Sequence, residues 1–529
     1  MKKIIRGKEA REKLLEGSRL MYDCVTTTLG PRGNNVSISR QWGLPIVVHD
    51  GVTVAREVEA EDEFVDQGVK LIREASQKTQ EEVGDATTTS CLLAYEIFSA
   101  GKDLIDAGKI NAMVLRSELE AAKDLVLSKL PEISTEVKNT DEVSKVATIS
   151  AANSEIGDLV AKAFEKAGKE GIVTADESKL PETTLEYVEG MHFDKGFGVY
   201  RHFITNISRN EAILRDVAVV VINKQISLNS EIVPLLEEIA STNKNMVLIG
   251  NISGDALSTL IANKMKGSIN ALVVEPPAHG ERQINYLEDI ALITGGKVLS
   301  KELTIDGEAI IDPEWIGKAD LVQSNRNTTI IQGGQGDKAL VKARIKQLKD
   351  QLKTVDSPYE REIIEERLAK LTTGVAVIKV GGKTEIESRE RLERVKDAIG
   401  SARSALSEGI VIGGGMAFSK LADFLPDIDE MNLGEGILKY ALAQPLVKLM
   451  RNAGEDDERI SQLHSSIRGK GGNFGYEVNS SEIVDLVEKG IIDPTRAIRL
   501  SIENAVSVAG SMLTTEVLIV DIREKQELQ

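Results

Sequence analysis

Hydrophobic residues in the first quarter of the chain recur every three or four positions, the spacing of an amphipathic helix. Four runs have this spacing, at residues 7–28, 64–75, 91–98 and 111–130. A Gly-Pro-Arg-Gly segment at 30–33 follows the first run, and a glycine followed by proline is a common helix stop. We therefore expect the N-terminal part of the protein to be mainly helical.

Two short runs of β-branched residues, 36–39 and 46–48, predict a β-hairpin between the first two helices. The second strand would place Asp50 at its end, beside Gly51. A carboxylate in that position is well placed to act on a ligand. Asp-Gly is also frequent in plain turns, so this pair alone leaves both interpretations open.

The pattern changes between Gly190 and Gly374, where strand-like runs alternate with helical ones. This alternation predicts a separate α/β domain. Two of its helices carry apolar stripes, formed by Ile232, Val233, Leu235, Leu236 and Ile239 in one and by Leu257, Leu260, Ile261 and Met265 in the other. Such stripes normally pack into a core, but exposed edges would form a groove for apolar segments of other proteins.

The segment 84–89 reads Gly-Asp-Ala-Thr-Thr-Thr and lies between two predicted helices. The second helix would begin there, and a helix N-terminus presents unpaired N–H groups and partial positive charge to an anion. The threonine hydroxyls could donate to phosphate oxygens, and Asp85 offers the hard carboxylate that Mg²⁺ prefers. Ordinary helix capping is the competing interpretation.

A Gly-Lys-Thr sequence at 382–384 invites a different assignment, because it follows a predicted strand at 375–380. The P-loop requires G-x-x-x-x-G-K-[ST], and its first glycine would fall on Val377, within the strand. A P-loop phosphotransferase is therefore excluded. The helix that follows, 387–407, contains Asp397. A lone carboxylate in a helix is usually solvated, and Val395, Ala398 and Ala402 predict a lightly packed surface around it.

The composition narrows the function classes. A length of 529 residues fits about three domains, and the formal net charge of −18 argues against a general binder of nucleic acid or of anionic membranes. Only Cys24 and Cys91 are present, so a disulfide framework is not expected. Without an apolar run of membrane-spanning length or a signal-peptide pattern, we expect a cytoplasmic protein.

Several motifs taken together resemble one family, the GroEL-type or group I chaperonins. They lie at 26–33, 50–57, 84–89, 148–154, 413–415 and 493–495, with Asp397, and they follow one another in order along essentially the whole chain. The resemblance implies a multidomain α + α/β fold. Its parts would be a mainly helical equatorial ATP-binding domain (1–131 and 408–529), a small α+β intermediate hinge domain (132–189 and 375–407) and an α/β apical domain that binds substrate and co-chaperonin (190–374).

The same resemblance implies an ATP hydrolase that encloses non-native polypeptides in a ring chamber and promotes their folding. Subunits of such proteins form seven-membered homo-oligomeric rings, commonly stacked in pairs, that are closed by a GroES-type co-chaperonin. ATP and Mg²⁺ would be required, and K⁺ fits the family pattern as well. No nucleic acid or membrane partner is expected.

Functional residues are implied position by position. Asp50 and Asp397 would align the attacking water, Asp85 would hold the metal, and Gly190 and Gly374 would lie at the apical hinges. The nucleotide would contact Thr28, Leu29, Gly30, Pro31, His49, Asp85, Ala86, Thr87, Thr88, Thr89, Gly414 and Asp493. The two apolar helices would bind substrate through Val233, Leu236, Leu257, Ile261 and Ala262.

Several positions depart from the family pattern. Ala86 replaces a glycine, His49 replaces the usual lysine, and 477–479 read Glu-Val-Asn in place of Asn-Ala-Ala. The segment 197–203 carries charge where relatives are apolar, and the chain ends at Gln529 without Gly-Gly-Met repeats. These departures indicate a divergent paralogue. They also support a second hypothesis, a chaperonin-derived binding protein or holdase with weak or no ATP turnover.

Overall fold

A computed structural model describes most of the chain. The described residues are 2–39, 45–48, 50–168, 172–178, 180–188, 190–242, 245–300, 304–305, 308–309, 315–355, 357–372, 375–426 and 433–521. His49 and Gly374, both assigned roles from the sequence, lie outside these ranges.

The helices are α1 (Lys8–Thr26), α2 (Gly51–Glu57), α3 (Glu63–Val83), α4 (Thr87–Asp106), α5 (Ala112–Ile133), α6 (Thr140–Ala151), α7 (Ser154–Ala167), α8 (Asn229–Thr242), α9 (Gly254–Met265), α10 (Glu281–Thr294), α11 (Lys338–Leu352), α12 (Pro358–Thr372), α13 (Glu385–Glu408), α14 (Met416–Ala422), α15 (Leu433–Asn452), α16 (Asp457–Lys470) and α17 (Thr495–Leu513). Two short 3₁₀ turns lie at Arg201–Phe203 and Ile207–Arg209.

The strands are β1 (Lys2–Arg6), β2 (Val36–Ile38), β3 (Ile46–Val48), β4 (Ile172–Glu177), β5 (Thr184–Val188), β6 (Gly190–Phe193), β7 (Ala212–Ile226), β8 (Asn245–Ile252), β9 (Asn270–Val274), β10 (Val298–Leu299), β11 (Thr304–Ile305), β12 (Glu308–Ala309), β13 (Gly317–Ser324), β14 (Thr329–Gly334), β15 (Val375–Val380), β16 (Ile410–Ile412), β17 (Phe474–Glu477), β18 (Glu482–Asp485), β19 (Ile492–Pro494) and β20 (Val517–Asp521).

The chain divides into two compact units. Unit 1 combines Met1–Ala161 with Arg389–Gln529, and unit 2 is Lys162–Ser388. Unit 1 is therefore assembled from both ends of the chain, and it includes the helix region around Asp397. The finer division into three domains stays a prediction. Within the described residues, no helix combines the length and the apolar character needed to cross a lipid bilayer.

Unit 1 is mainly helical and has a continuous core formed by α1, α3, α4, α5, α15 and α17. The first predicted helix is confirmed, and three residues of its apolar stripe, Leu14, Met21 and Val25, are fully buried. It ends at Thr26, before the predicted stop at Gly30. Burying these side chains stabilises the fold by about 1.5–3 kcal/mol each, so packing of the apolar face determines where α1 lies.

Short antiparallel strand pairs connect distant parts of unit 1. β1 pairs with β20, which joins the two ends of the chain, and β2 pairs with β3 as the predicted hairpin. β16 pairs with β19 in a register that places Val411 opposite Asp493. This last pairing fixes the position of a predicted nucleotide-binding residue relative to the glycine segment 413–415.

A cluster of charged side chains with little exposure joins α1 to the end of α4. Arg11 Nε donates to Asp106 Oδ1 at 2.8 Å, and Lys102 Nζ lies 2.9 Å from Asp106 Oδ2. Arg11 also reaches Glu516, just before β20. Burial works against the charged form of Asp106, but the hydrogen bonds from Lys102 and Arg11 outweigh it and lower its pKa.

Asp106→Asn is expected to lower the stability of unit 1 by about 1.5–3 kcal/mol at neutral pH, because charged hydrogen bonds are lost and two cations remain. Since the pKa of Asp106 is lowered in the folded state, its contribution is present above the unfolded pKa of about 3.9 and disappears as pH falls through the folded pKa. Urea denaturation at pH 7 and pH 3 measures this. The difference between wild type and variant should shrink at the lower pH, and an unchanged difference would contradict the ionic contribution.

Unit 2 contains the predicted α/β domain. Its seven-stranded sheet has the order β6-β14-β13-β7-β8-β9, with β10 paired to β7. The parallel pairs β7–β8 and β8–β9 are connected by α8 and α9, as in other βαβ units. A second, three-stranded sheet has the order β4-β15-β5. Gly190, one of the two predicted hinge glycines, begins β6.

The two sheets of unit 2 are joined by polar contacts. Asp176 of β4 lies in an ion pair with Arg215 of β7 and accepts a hydrogen bond of 2.7 Å from Lys379 of β15. Gln332 Nε2 of β14 donates to Thr174 Oγ1 of β4 at 3.1 Å in a buried position. The three-stranded sheet is thereby attached to strands β7 and β14 of the seven-stranded sheet.

Candidate nucleotide site and client groove

The N-terminus of α4 has the features expected of an anion site. Its N-cap residue, Ala86, makes no side-chain capping hydrogen bond, so the first N–H groups of this 20-residue helix are not satisfied by a cap. Thr87, Thr88 and Thr89 form its first turn. The structure therefore does not show the ordinary capping that the sequence left as an alternative, and the partial positive charge of the helix end is directed at this turn.

Ala86 has a left-handed backbone, with φ 62° and ψ 19°. A β-carbon in this region costs roughly 1–2 kcal/mol relative to a favourable conformation, and glycine avoids this cost. The methyl group packs against a small cluster formed by Val83, Ala497 and Leu500. This departure from the family pattern thus has a positive φ, and local packing offsets part of the strain.

Asp50 caps the helix α2, at a position where the Asp-Gly sequence predicts a turn. Its carboxylate accepts hydrogen bonds from Val52 N at 3.1 Å, from Thr53 N at 2.9 Å and from Thr53 Oγ1 at 2.7 Å, which caps α2. These contacts hold the carboxylate in one orientation. An ionised carboxylate has about four acceptor positions, so one remains for a water molecule or ligand.

Gly51 brings the Asp50 turn against the start of α4. A β-carbon built on Gly51 would lie 2.1 Å from Thr88 Oγ1 and 3.2 Å from Thr28 Oγ1. Any larger residue would collide with Thr88. Three predicted nucleotide-site segments, those around Thr28, Asp50 and Thr88, therefore meet at one point in unit 1.

The helix that carries Asp397 packs on the turn before α4. A β-carbon built on Gly400 would lie 2.4 Å from the Val83 carbonyl oxygen, and one built on Gly84 would lie 3.8 Å from the Asp397 Cα. The prediction of a lightly packed surface at this part of α13 is wrong, because Val395, Ala398 and Ala402 are all fully buried. Small side chains here allow the backbone of α13 to approach the 83–85 segment closely.

Asp85 is connected to α13 by Ser401, which belongs to none of the sequence motifs. Ser401 Oγ donates to Asp85 Oδ2 at 3.2 Å and also lies 3.0 Å from Ser150 Oγ, and its side chain is fully buried. Ser150 belongs to the 148–154 motif. Ser401 follows Asp397 by four residues and so lies on the same face of α13, a spacing that it shares with other small residues of this helix and that does not single it out.

Asp493 completes the group of carboxylates. Burial and, to a smaller extent, the negative charge of Asp85 together raise the pKa of Asp493 to about 7. Its strand β19 pairs with β16, which ends two residues before Gly414, and the φ of Gly414 is 63°. A β-carbon on Gly414 would lie 3.3 Å from Leu486, so this glycine also forms part of a narrow loop.

The loop after α1 is held on α15. Asn452 Nδ2 donates to the carbonyl oxygens of Thr26 and Leu29, both at 2.9 Å. Gly30 has φ 83°, and a β-carbon there would lie 2.3 Å from Leu449. The positions of Thr28 to Pro31 are therefore fixed by contacts with a helix more than four hundred residues later in the sequence.

The altered segment at 477–479 has a local structural role. Glu477 accepts hydrogen bonds from Asn479 N at 2.8 Å and Ser480 N at 2.7 Å, which close the turn between β17 and β18. Arg32 Nη2 donates to the Asn479 carbonyl oxygen at 2.8 Å. Glu477, which replaces an asparagine of the family pattern, thus accepts hydrogen bonds from the backbone of its own turn.

No group of three or more His, Cys, Asp or Glu side chains in the described part of the chain could hold a metal alone. Asp85 is a single hard oxygen ligand, which fits an ion that obtains its other ligands from phosphates and water. The donor set of this site is thus suited to Mg²⁺ bound together with a nucleotide.

The two apolar helices of unit 2 divide their stripes between core and surface. Ile232, Leu235, Ile239 and Leu260 lie in the core, as expected for the inward face. Val233 is 37 % exposed, whereas Leu257 and Ile261 are half-buried at the edge of the same core. Ala262 is exposed, and Thr259 Oγ1 donates to Asn229 Oδ1 at 2.7 Å between the helices.

Leu236, the fifth predicted groove residue, is 8 % exposed and belongs to the core. It therefore contributes little surface to a groove. The exposed edge of the two helices, which we call the client groove, consists of Val233, Leu257, Ile261 and Ala262.

Comparison with known proteins identifies the class to which this fold and site belong. The sequence profile of the TCP-1/cpn60 chaperonin family matches residues 21–523. Because this match extends over nearly the whole chain, the protein belongs to the TCP-1/cpn60 chaperonin family. It is a chaperonin of the GroEL type, and its function is that of a chaperonin in protein folding.

Two solved structures have the same fold. Both are of the chaperonin gp146 from bacteriophage EL 2 (Pseudomonas aeruginosa), crystallised in the presence of ATP-BeFx. Crystal form II has a TM-score of 0.68 and 21 % identity, over 98 % of this chain and 99 % of the other. Crystal form I has a TM-score of 0.61 and 20 % identity, with the same coverage. The predicted multidomain α + α/β fold is confirmed by these similarities.

Proposed function

We propose that this chaperonin binds ATP at the start of α4 and hydrolyses it to drive the folding of non-native polypeptides. One observation carries the proposal. The Asp50 turn and the part of α13 next to Asp397 both contact the short region from Val83 to Thr88, which contains Asp85. Three distant parts of the sequence, each with one of these aspartates, thereby meet at an uncapped helix N-terminus.

The roles of the side chains follow from their positions. The first N–H groups of α4 and the hydroxyls of Thr87, Thr88 and Thr89 would bind phosphate oxygens. Asp50, held by its capping hydrogen bonds, would orient the attacking water together with Asp397. Asp85 would hold Mg²⁺, which when bound neutralises phosphate charge.

The assembly and its partners belong to the same proposal. Homo-oligomeric rings of seven subunits, single or stacked, would surround a chamber for the client protein. A GroES-type co-chaperonin would close it, with the client groove as the shared binding surface. We place this activity in the cytoplasm. Membership of the chaperonin family supports ring assembly and client binding in general terms.

A holdase with little turnover is the second candidate. The left-handed backbone at Ala86 favours it, because a β-carbon in this conformation costs roughly 1–2 kcal/mol. Nucleotide binding would be about tenfold weaker if the free loop relieves this strain and binding restores it. Robust ATP hydrolysis together with recovery of a denatured client would exclude this candidate.

The proposal can be tested by measuring steady-state ATP hydrolysis and client refolding for the wild type and for the Ile261→Ser variant. The wild-type protein should hydrolyse ATP and restore activity to a chemically denatured enzyme. The variant should retain hydrolysis, because Ile261 lies in unit 2, but bind the client about tenfold more weakly or worse, since burial of a large aliphatic side chain contributes about 1.5–3 kcal/mol.

Leu340→Ser serves as the control, because Leu340 is also a surface-exposed aliphatic residue of unit 2, on α11, and is 56 % exposed. It should leave both hydrolysis and client binding unchanged. Equal client binding by wild type and Ile261→Ser would remove the groove assignment. Insoluble Ile261→Ser protein would instead show that this residue is required by the core.

A further inference from the structure

A basic and apolar surface lies beside the C-terminal end of α9, next to the client groove. Arg201 and His202 are exposed on the first 3₁₀ turn, and Lys266 is exposed directly after α9. Val199 and Met265, in the same two segments, are 71 % and 77 % exposed. We call these five residues the basic patch.

One half-buried lysine, Lys264, holds the two segments together. Lys264 Nζ donates to the Phe203 carbonyl oxygen at 3.2 Å, to Asn270 Oδ1 at 3.3 Å and to the Ala271 carbonyl oxygen at 3.0 Å. The ring of Phe203 is itself fully buried in the core of unit 2. The turn that carries Arg201 and His202 is therefore attached to α9 and β9 by packing and by this ammonium group.

The charge of this region is opposite to that of the whole protein. Residues 199–210 and 256–274 contain three and two basic side chains, respectively, with His202 included, and no Asp or Glu, whereas the chain has a formal net charge of −18. The neighbouring Glu275, which lies against Gly198, is paired with Lys195 at 3.6 Å. Within the part of the chain that the structure describes, the side chains of Arg201, His202 and Lys266 have no hydrogen-bond or ion-pair partner. Uncompensated charge of one sign next to apolar surface favours a partner of the opposite sign.

We propose that the client groove and the basic patch form one site that selects segments of non-native protein in which apolar residues are flanked by Asp or Glu. This inference rests on the proposed function of the groove and adds the class of substrate to it. The apolar residue would enter beside Val233 and Ile261, and the flanking carboxylates would pair with Arg201 and Lys266. The exposed Val199 and Met265 favour polypeptide over nucleic acid, which would need aromatic stacking surfaces.

The test uses the full-length, nucleotide-free protein and three fluorescent peptides that share an apolar centre but have Glu, Gln or Lys flanks. Each exposed charge pair changes an equilibrium constant by about 1.5- to 5-fold, so the Glu peptide should bind about 3- to 10-fold more tightly than the Lys peptide at low salt. The preference should disappear at about 1 M salt, where exposed charges are screened. Fluorescence anisotropy gives the dissociation constants.

Variants separate the patch from the groove. The double variant Arg201→Gln, Lys266→Gln should lose the preference but bind the Gln peptide as the wild type does. The control is the double variant Lys342→Gln, Lys349→Gln, which makes the same charge change at exposed positions of α11. This control should keep the preference for the Glu peptide. Retention of the preference in the first double variant would overturn the assignment to these residues.

The remaining outcomes are also distinguishable. Equal binding of the three peptides, with binding lost in Ile261→Ser, would overturn the substrate class and leave the groove in place. Peptide binding that does not depend on Ile261 would overturn the groove itself, and with it the proposed function of that surface. Displacement of the Glu peptide by a single-stranded oligonucleotide at lower concentration would assign the patch to nucleic acid and overturn the inference.

Discussion

Asp397→Ala should lower the rate of ATP hydrolysis by about 10²- to 10⁴-fold, the usual contribution of a group that positions or deprotonates the nucleophile. The expected result follows from the contact between Gly84 and the Asp397 backbone, which places this part of α13 at the phosphate turn. Nucleotide binding should change little, because the uncapped start of α4 and the threonine hydroxyls are unaffected. Phosphate release and nucleotide affinity measured on the same preparation test both statements.

Glu390→Gln provides a matched control for Asp397→Ala. Glu390 also lies on α13, but its side chain is 53 % exposed and pairs with Arg394 within the helix. Its replacement should leave the hydrolysis rate unchanged. Negative-stain microscopy of each variant would check that assembly is retained. Equal hydrolysis rates for wild type and Asp397→Ala would remove Asp397 from the mechanism, even if the fold is intact.

Asp289→Ala should lower the free energy of unfolding of unit 2 by about 3–5 kcal/mol, because it leaves buried arginine charge without its partner. Asp289 of α10 is fully buried. Arg367 of α12 donates to both its oxygens, at 2.7 and 2.9 Å, and Arg344 of α11 donates at 3.1 Å. This one carboxylate therefore joins three helices.

The structure explains why α11 and α12 depend on this ion pair. Among the described residues of α11, Leu348 is the one that is fully buried, so apolar burial contributes little to its attachment. Arg367 is 6 % exposed, and a planar guanidinium with two parallel hydrogen bonds fixes the orientation of α12. Loss of Asp289 should release the pair of helices before the sheet of unit 2 unfolds.

Glu288→Ala is the matched control, because Glu288 precedes Asp289 and accepts one hydrogen bond from Arg344 at 3.0 Å while being 51 % exposed. An exposed pair contributes about 0–1 kcal/mol. Urea denaturation gives the difference in stability, and hydrogen exchange locates it in α10, α11 and α12. A denaturation midpoint for Asp289→Ala that equals that of Glu288→Ala would contradict the predicted role.

The helices and the hairpin near the N-terminus could be predicted from periodicity, because each depends on neighbouring residues. The local structure at Asp50 was more difficult to predict. The sequence Asp-Gly indicated a turn, whereas the structure shows Asp50 capping α2 through Val52 and Thr53. The start of the helix is decided by the packing of Val52 and Val54 into unit 1, which local turn preference does not contain.

Ser401 shows a different limit of the sequence. Nothing in its neighbourhood distinguishes it from other small residues of α13, yet it bonds both Asp85 and Ser150. Likewise, Leu236 belongs to the same apolar stripe of α8 as Val233, so the sequence predicts both residues to line the groove. Its burial depends on how α8 rests on the sheet, and a hydrophobic pattern does not reveal how much of each side chain the neighbouring element covers.

The sequence by itself determined the long helices and the hairpin near the N-terminus, the resemblance to a GroEL-type chaperonin, and the carboxylates and threonines proposed for the candidate site. These properties depend on local periodicity and on motifs that remain in order along the chain. Only the tertiary structure decided that Gly51, Thr88 and Thr28 meet, that α13 approaches Gly84, and that a basic patch adjoins the groove. The physical reason is that close packing fixes contacts between residues far apart in sequence, and such contacts leave no periodic signal in either segment.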